Sequence, residues 1–205
     1  MNKNFYKGIE FLKKDSDIGT LIKEIEIPHF PKEKNYFRSL IKFVIYQQLS
    51  IKSARKIYDR LISLFNKKIV NPKNFKSFSM IQLQKIGISK SKIHYMNEIA
   101  DRFIENDSFL NNVEELSNKE IINQLTEIKG IGPWTSEMFL MFTLQRLDIF
   151  SIKDLGIKKG IQKLFKLDNI PTDEFMIKKS KKWSPYRTIA CLYLWKLIDE
   201  NNFDW

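Results

Sequence analysis

Along most of this chain, apolar residues return every three or four positions, the spacing that gathers them on one face of an α-helix. The pattern predicts a helix over 5–15 and another over 18–27, the second stopped by Pro28-His29-Phe30-Pro31. A third helix is predicted over 35–49, with Phe37, Leu40, Ile41, Val44 and Ile45 in register. A fourth runs over 53–65 through Ala54, Ile57, Tyr58, Leu61 and Leu64. Asn71-Pro72 opens a new segment, followed by helices over 79–86 and 91–105. Further helices are predicted over 155–165, 172–183 and 188–199. No stretch alternates apolar and polar residues for long enough to make a strand, so the predicted fold class is all-α. No linker or low-complexity tract divides the chain.

The segment 121–160 organises the rest. Ile121, Ile122, Leu125 and Ile128 share one helical face, and Trp134, Met138, Met141 and Phe142 share another. Between them, Lys129-Gly130-Ile131-Gly132-Pro133 cannot continue a helix. Two glycines permit positive φ and close backbone approach, and Pro133 has the φ that opens a second helix. A helix start behind a loop without side chains offers backbone N–H groups to an anion, and the helix dipole favours negative charge there. A looser echo, LQKIGISKSK over 83–92, reads as a second helix-turn-helix corner. Architecture explains that corner, with contact to backbone phosphate as the alternative.

Composition narrows the classes. The 205 residues can bury a sizeable core, and 43% of them are hydrophobic, which sets the chain apart from disordered proteins. Lys plus Arg number 35 against 24 for Asp plus Glu, a net charge of +11 that favours a polyanionic partner, nucleic acid before membrane. No apolar run approaches the length of a membrane span, and Lys3 and Lys7 precede no signal-peptide core. Cys191 is the single cysteine, which excludes an internal disulfide and a four-cysteine iron–sulfur site. His29 and His94 lie far apart in sequence and make no readable zinc site; both read as surface or satisfied histidines.

Beyond the apolar helix and a short connector stands Asp154, in Lys153-Asp154-Leu155-Gly156-Ile157. Locally it reads as the N-cap of the 155–165 helix, or as the acid of an i,i+4 pair with Lys158. Gln47-Gln48-Leu49-Ser50 joins the third and fourth helices, where amides could simply cap a helix end. Taken together, the glycine hairpin, Asp154, this tetrapeptide and KWSPYRTIACLYLW over 182–195 resemble the helix-hairpin-helix DNA glycosylases with a Gly/Pro-rich loop and an essential aspartate. The resemblance covers roughly 36–195 and is closest to the compact 3-methyladenine DNA glycosylase II branch, without its β-rich N-terminal domain.

That resemblance implies a two-lobed helical HhH-GPD fold with the active-site cleft between lobes, one lobe over about 36–150 and the other from 1–35 with 151–205. It implies a monofunctional enzyme that flips an alkylated purine, 3-methyladenine or 7-methylguanine, out of double-stranded DNA. Hydrolysis of its N-glycosidic bond leaves an abasic site for base excision repair. Asp154 is the implied catalytic carboxylate, and Trp134, Trp195, Tyr186 and Met138 are the implied base pocket. Met138 departs from a tyrosine found there in some members, and Phe139 is a weaker pocket candidate. Gln48, Leu49 and Ser50 would fill the gap left by the flipped nucleotide. Lys129, Gly130, Gly132, Thr135 and Lys158 complete the implied DNA contacts. Lyases of the family carry a lysine where this chain has Trp134, so no strand cleavage is expected. No cofactor is required, although relatives hold a monovalent cation, Na+ or K+, through hairpin carbonyls, here those of Thr126, Ile128 and Ile131. The expected state is a monomer in the cytoplasm or nucleoid of a prokaryote, or the nucleus of a eukaryote. The rival readings are a glycosylase of the same fold for hypoxanthine, ethenoadenine or an oxidised base, and a noncatalytic DNA-binding protein.

Overall fold

A computed structural model describes residues 3–26, 32–106 and 108–198. Among the described residues there are helices and turns and no β-strand. The helices are α1 (Lys3–Leu12), α2 (Gly19–Glu24), α3 (Tyr36–Tyr46), α4 (Ile51–Leu64), α5 (Pro72–Lys76), α6 (Met80–Lys85) and α7 (Lys90–Glu105). They continue with α8 (Asn118–Thr126), α9 (Pro133–Met138), α10 (Leu155–Leu164), α11 (Asp173–Ser180) and α12 (Arg187–Ile198). The chain forms two compact units, 33–144 and 1–32 with 145–205. His29 and the Pro28–Pro31 breaker lie outside the described residues.

In the 33–144 unit, α3 is the buried axis: Phe37, Leu40, Ile41, Phe43, Val44 and Ile45 are all enclosed. Aromatic edges lock it to its neighbours, with Phe37 ring centroids 6.0 Å from Phe75 on α5 and 5.8 Å from Phe103 on α7. Serine and asparagine side chains start most of these helices. Asn35 accepts from the Arg38 N–H, Ser50 from Ser53, Asn71 from Asn74 and Ser79 from Gln82. The Asn71-Pro72 signal therefore opens a short helix, α5, that hydrophobic spacing over five residues is too brief to announce. The helix predicted to reach Phe142 instead changes geometry after Met138. The backbone widens over Phe139–Thr143, and the Leu144 N–H reaches back five residues to the Phe139 carbonyl at 3.1 Å. The buried Ser39 and Thr143 hydroxyls pair there, giving two polar groups a partner inside an apolar core.

In the other unit, α12 is the axis, buried from Thr188 to Trp195. Its start is anchored by Arg187, whose Nε donates to Asp148 Oδ1 at 2.6 Å and Nη2 to Asp148 Oδ2 at 2.9 Å. Burial would push the Asp148 carboxyl up, but hydrogen bonds from Arg187 and Ser184 outweigh it and hold the group below the usual range. Helix α10 lies close against α12 because Gly160 has no side chain: a Cβ there would stand 2.7 Å from the Leu194 carbonyl.

Candidate active site and nucleic-acid interface

The hairpin belongs to the 33–144 unit. Helix α8 begins with a capping box, in which Ser117 and Glu120 each serve the other's backbone N–H, and it ends at Thr126. The chain then tightens: Ile128 N–H bonds the Leu125 carbonyl at 3.1 Å and Ile131 N–H the Ile128 carbonyl at 3.0 Å. Gly130 has φ +92°, and a Cβ would fall 2.0 Å from Tyr95 Cγ, so both backbone and packing require glycine. Gly132 differs. It occupies the cap position of α9 in an extended conformation, no side chain caps the helix, and a Cβ would meet nothing within 4 Å. Lys129 is exposed beside it.

The Gln47–Ser50 loop reaches the hairpin directly. Gln47 Nε2 donates to the Gly130 carbonyl and to Thr135 Oγ1, both at 2.9 Å. Gln48 has φ +56°, an uncommon conformation for a residue with a side chain, and Leu49 is 40% exposed. Lys92, at the start of α7, donates to the carbonyls of Ile45 at 2.8 Å and Gln47 at 2.7 Å. Burial pushes the Lys92 ammonium below the usual lysine range. Loop, hairpin, Ser89, Ser91, Lys92 and Tyr95 line a cavity of about 570 Å³. The sequence alone does not single out Lys92 or Tyr95. The echo of the hairpin over 83–92 is the signal that points to their corner.

Asp154 belongs to the other unit and is 8% exposed. It is the N-cap of α10: Oδ1 accepts from the Ile157 N–H at 2.7 Å. The same oxygen accepts from Trp195 Nε1 at 2.8 Å, a contact no helical periodicity predicts. Gly156 lets the indole in, since a Cβ would stand 2.7 Å from Trp195 Cδ1 and 3.0 Å from Asp154 Oδ1. A capping carboxylate and an indole N–H held on it fix the group in one orientation in a largely buried site, where a charge acts strongly.

The remaining candidates divide. Gln48, Leu49 and Ser50 are exposed, with Ser50 also capping α4, and Trp134 is half-buried. Thr135 and Met138 are enclosed in the core, and neither side chain presents surface in the free protein. Lys158 Nζ lies 3.0 Å from Asp173 Oδ1, and Lys153 meets the same carboxylate. Trp195 directs its N–H at Asp154 with its ring buried. Tyr186 is half-buried with its ring centroid 5.4 Å from that of Phe11, so it braces α1. Phe139 is core, edge-on to Tyr36 at 5.6 Å. His94 lies on the surface 3.5 Å from Glu98. Among the described residues, no group of three His, Cys, Asp or Glu side chains could hold a metal, and no helix is long and apolar enough to cross a membrane.

The chain is similar to known proteins. DNA-3-methyladenine glycosylase 1 of Schizosaccharomyces pombe is 37% identical over 167 residues, covering 80% of this chain and 73% of that protein. The structure of the Schizosaccharomyces pombe 3-methyladenine DNA glycosylase in complex with abasic DNA matches with a TM-score of 0.87 and 33% identity, over 97% of this chain and 99% of that one. A DNA-3-methyladenine glycosidase from Bacillus halodurans matches with a TM-score of 0.76 and 33% identity, over 99% and 94%. The profile of the HhH-GPD superfamily base excision DNA repair proteins spans residues 41–185, and the chain belongs to that superfamily.

Proposed function

We propose that this protein is a monofunctional DNA glycosylase that removes alkylated purines, 3-methyladenine and 7-methylguanine, from duplex DNA and leaves an abasic site for base excision repair. The buried Asp154 carboxylate, held by the Ile157 N–H and the Trp195 indole, carries this reading. Relatives that share the architecture and are named for 3-methyladenine support the substrate class.

An N3- or N7-alkylated purine carries positive charge. When its bond to C1′ breaks, the electron pair moves to the base, which leaves neutral, and the sugar becomes oxocarbenium-like. A dedicated general acid is unnecessary for such a leaving group. Asp154 stabilises the sugar cation electrostatically and can accept a proton from the water that adds to C1′. The half-buried face of Trp134 suits a cationic base, an attraction of about 0.5–2 kcal/mol. Trp134 also occupies the lysine position of the lyases, so the strand stays intact. Lys129 and the amides around Gly132 suit a phosphate. The exposed Leu49 suits the gap in the base stack, where filling offsets a few kcal/mol of unstacking.

No cofactor is required for this chemistry. The carbonyls of Thr126, Ile128 and Ile131 sit where α8 ends, and a carbonyl that accepts one hydrogen bond, as Ile128 does, keeps a lone pair for a Na+ or K+ ion. Such an ion would stiffen the hairpin. A monomer acting on chromosomal DNA, in the cytoplasm or nucleoid or in a nucleus, fits the same reading.

Release of methylated purines from methylated duplex DNA by wild type beside Asp154→Asn tests the proposal. Asparagine keeps an oxygen for the cap and the indole and removes the charge. We expect wild type to free 3-methyladenine without strand scission, and the variant to bind DNA but release base about 10²–10³ more slowly. Equal rates would reduce Asp154 to a helix cap. No release by wild type would reject this substrate class.

A further inference from the structure

We propose that Lys92 is a positioning residue for nucleotide extrusion, holding the Gln48-Leu49 loop in a form ready to enter the DNA. The inference rests on the reading of that loop as the wedge of a glycosylase, and it assigns the 83–92 corner a part in the reaction.

Helix α3 ends at Tyr46, and the carbonyls of a helix's last turn have no partner within it. The Phe43 carbonyl takes the Gln47 N–H at 3.1 Å, and the Tyr46 carbonyl takes the Leu49 N–H at 3.3 Å. Ile45 and Gln47 are served instead by one ammonium from α7, at 2.8 and 2.7 Å. A cation at a helix C-terminus also opposes the negative end of the dipole. On the other side, Gln47 is tied through its amide to the hairpin. Gln48 stands between these ties with φ +56°, and Leu49 follows, apolar and 40% exposed.

Left-handed backbone at a residue with a side chain is strained and persists only where the surroundings over-determine it. Here α7 and the hairpin do so. A wedge must keep its shape while it enters the stack, because a loop that has to order during extrusion adds that entropy to the barrier. Two of the three ammonium hydrogens of Lys92 point at carbonyls, which distinguishes the residue from a lysine aimed at phosphate. Nonspecific affinity should therefore not depend on it.

The test compares wild type, Lys92→Met, Lys92→Gln and Lys92→Arg in four measurements. They are single-turnover release from methylated duplex, 2-aminopurine fluorescence opposite a tetrahydrofuran abasic site, the salt dependence of binding to undamaged duplex, and a melting curve. We expect Lys92→Met to slow release about 30-fold and to lose most of the fluorescence change, as fits the loss of two charge-assisted bonds. Undamaged-DNA affinity should stay within twofold with an unchanged salt slope, and Lys92→Arg, which keeps charge and donors, should recover most of the rate. If Lys92→Met does not fold, the same order, Arg above Gln, is expected in release and fluorescence, and equal values overturn the brace. A Lys92→Met enzyme as fast as wild type also overturns it. So does a salt slope lower by about 1 with weaker binding to undamaged DNA, which would make Lys92 a phosphate ligand. If wild type releases no methylated base, the proposed substrate falls, while the fluorescence series still decides whether Lys92 holds the wedge.

Discussion

Two corners of the 33–144 unit are built from nearly the same residues and do different things. In both, a helix ends, a glycine takes positive φ, an isoleucine turns inward and a new helix starts: Gly87 at φ +102° with Ile88, and Gly130 at φ +92° with Ile131. The corner at 83–92 then closes on itself. Ser89 caps α7 through the Lys92 N–H, and the Lys92 side chain serves the end of α3. The hairpin places Gly132 at the same point, with no capping side chain and open space where a Cβ would be. A helix start that caps itself supports its own fold. One whose cap position is bare has room for a phosphate. The same motif closes on itself in one place and stays open in the other, and one cap residue separates the two.

The sharpest way to break the comparison is at Gly130. Alanine there meets Tyr95 Cγ at 2.0 Å and must hold φ +92°. Strain and overpacking together should cost roughly 2–4 kcal/mol, lowering the melting temperature by about 5–15 °C for a protein of this size. Tyr95→Ala in the same chain should recover only part of the packing share, because the Cβ that alanine keeps still stands 2.5 Å from the new one, and should leave the backbone share. A Gly130→Ala protein that melts with wild type would mean the hairpin tolerates a side chain where the structure leaves no room.

Much of this was legible before the structure. Helices α3, α4, α7 and α10 follow from three-to-four-residue apolar spacing, because burial of one face is what sets that spacing, whereas α12 reads as a buried helix from its nearly continuous apolar run. The hairpin glycines and the capping role of Asp154 follow from local backbone chemistry, which sequence neighbours decide. What was not legible depends on residues far apart in sequence. The Trp195 indole on Asp154 crosses from α12 to the start of α10, with Gly156 making the room. The partner of Lys158 was not legible because a run of lysines does not reveal which one finds a carboxylate, here Asp173 from α11. Thr135 and Met138 sit on a helix whose register reads correctly, yet their burial depends on what packs against it. Lys92 belongs to the same class: its partners are the last carbonyls of α3, some forty-five positions earlier in the chain.

Gly132 sharpens the comparison from the other direction. Gly132→Asp would give the hairpin the self-cap its twin has, in an extended conformation that aspartate adopts freely and with space for its side chain. The free protein should be as stable as wild type or a few tenths of a kcal/mol more so. Affinity for duplex DNA should fall about tenfold, roughly 1.4 kcal/mol, because a carboxylate would occupy the place of the phosphate. Filter binding or fluorescence anisotropy at fixed salt reads the effect. Undiminished affinity would show that the phosphate docks elsewhere.

The smallest expected effect lies at Ser89, where the two corners differ in the opposite sense. Ser89→Ala removes a cap whose hydrogen bond to the Lys92 N–H is long, 3.4 Å, so the loss should fall near the low end of capping energies, about 0.5 kcal/mol. Ser91 also loses the hydroxyl it meets at 3.1 Å, but it is exposed and water replaces that partner. The melting temperature should drop by a degree or two, and DNA affinity should stay within twofold, because this helix start is closed by its own side chain. If the serine instead mattered more for binding than for stability, this corner would itself be a DNA contact. The difference between the two corners would then lie in Lys92 alone, whose ammonium joins α7 to the Ile45 and Gln47 carbonyls whichever group caps the helix.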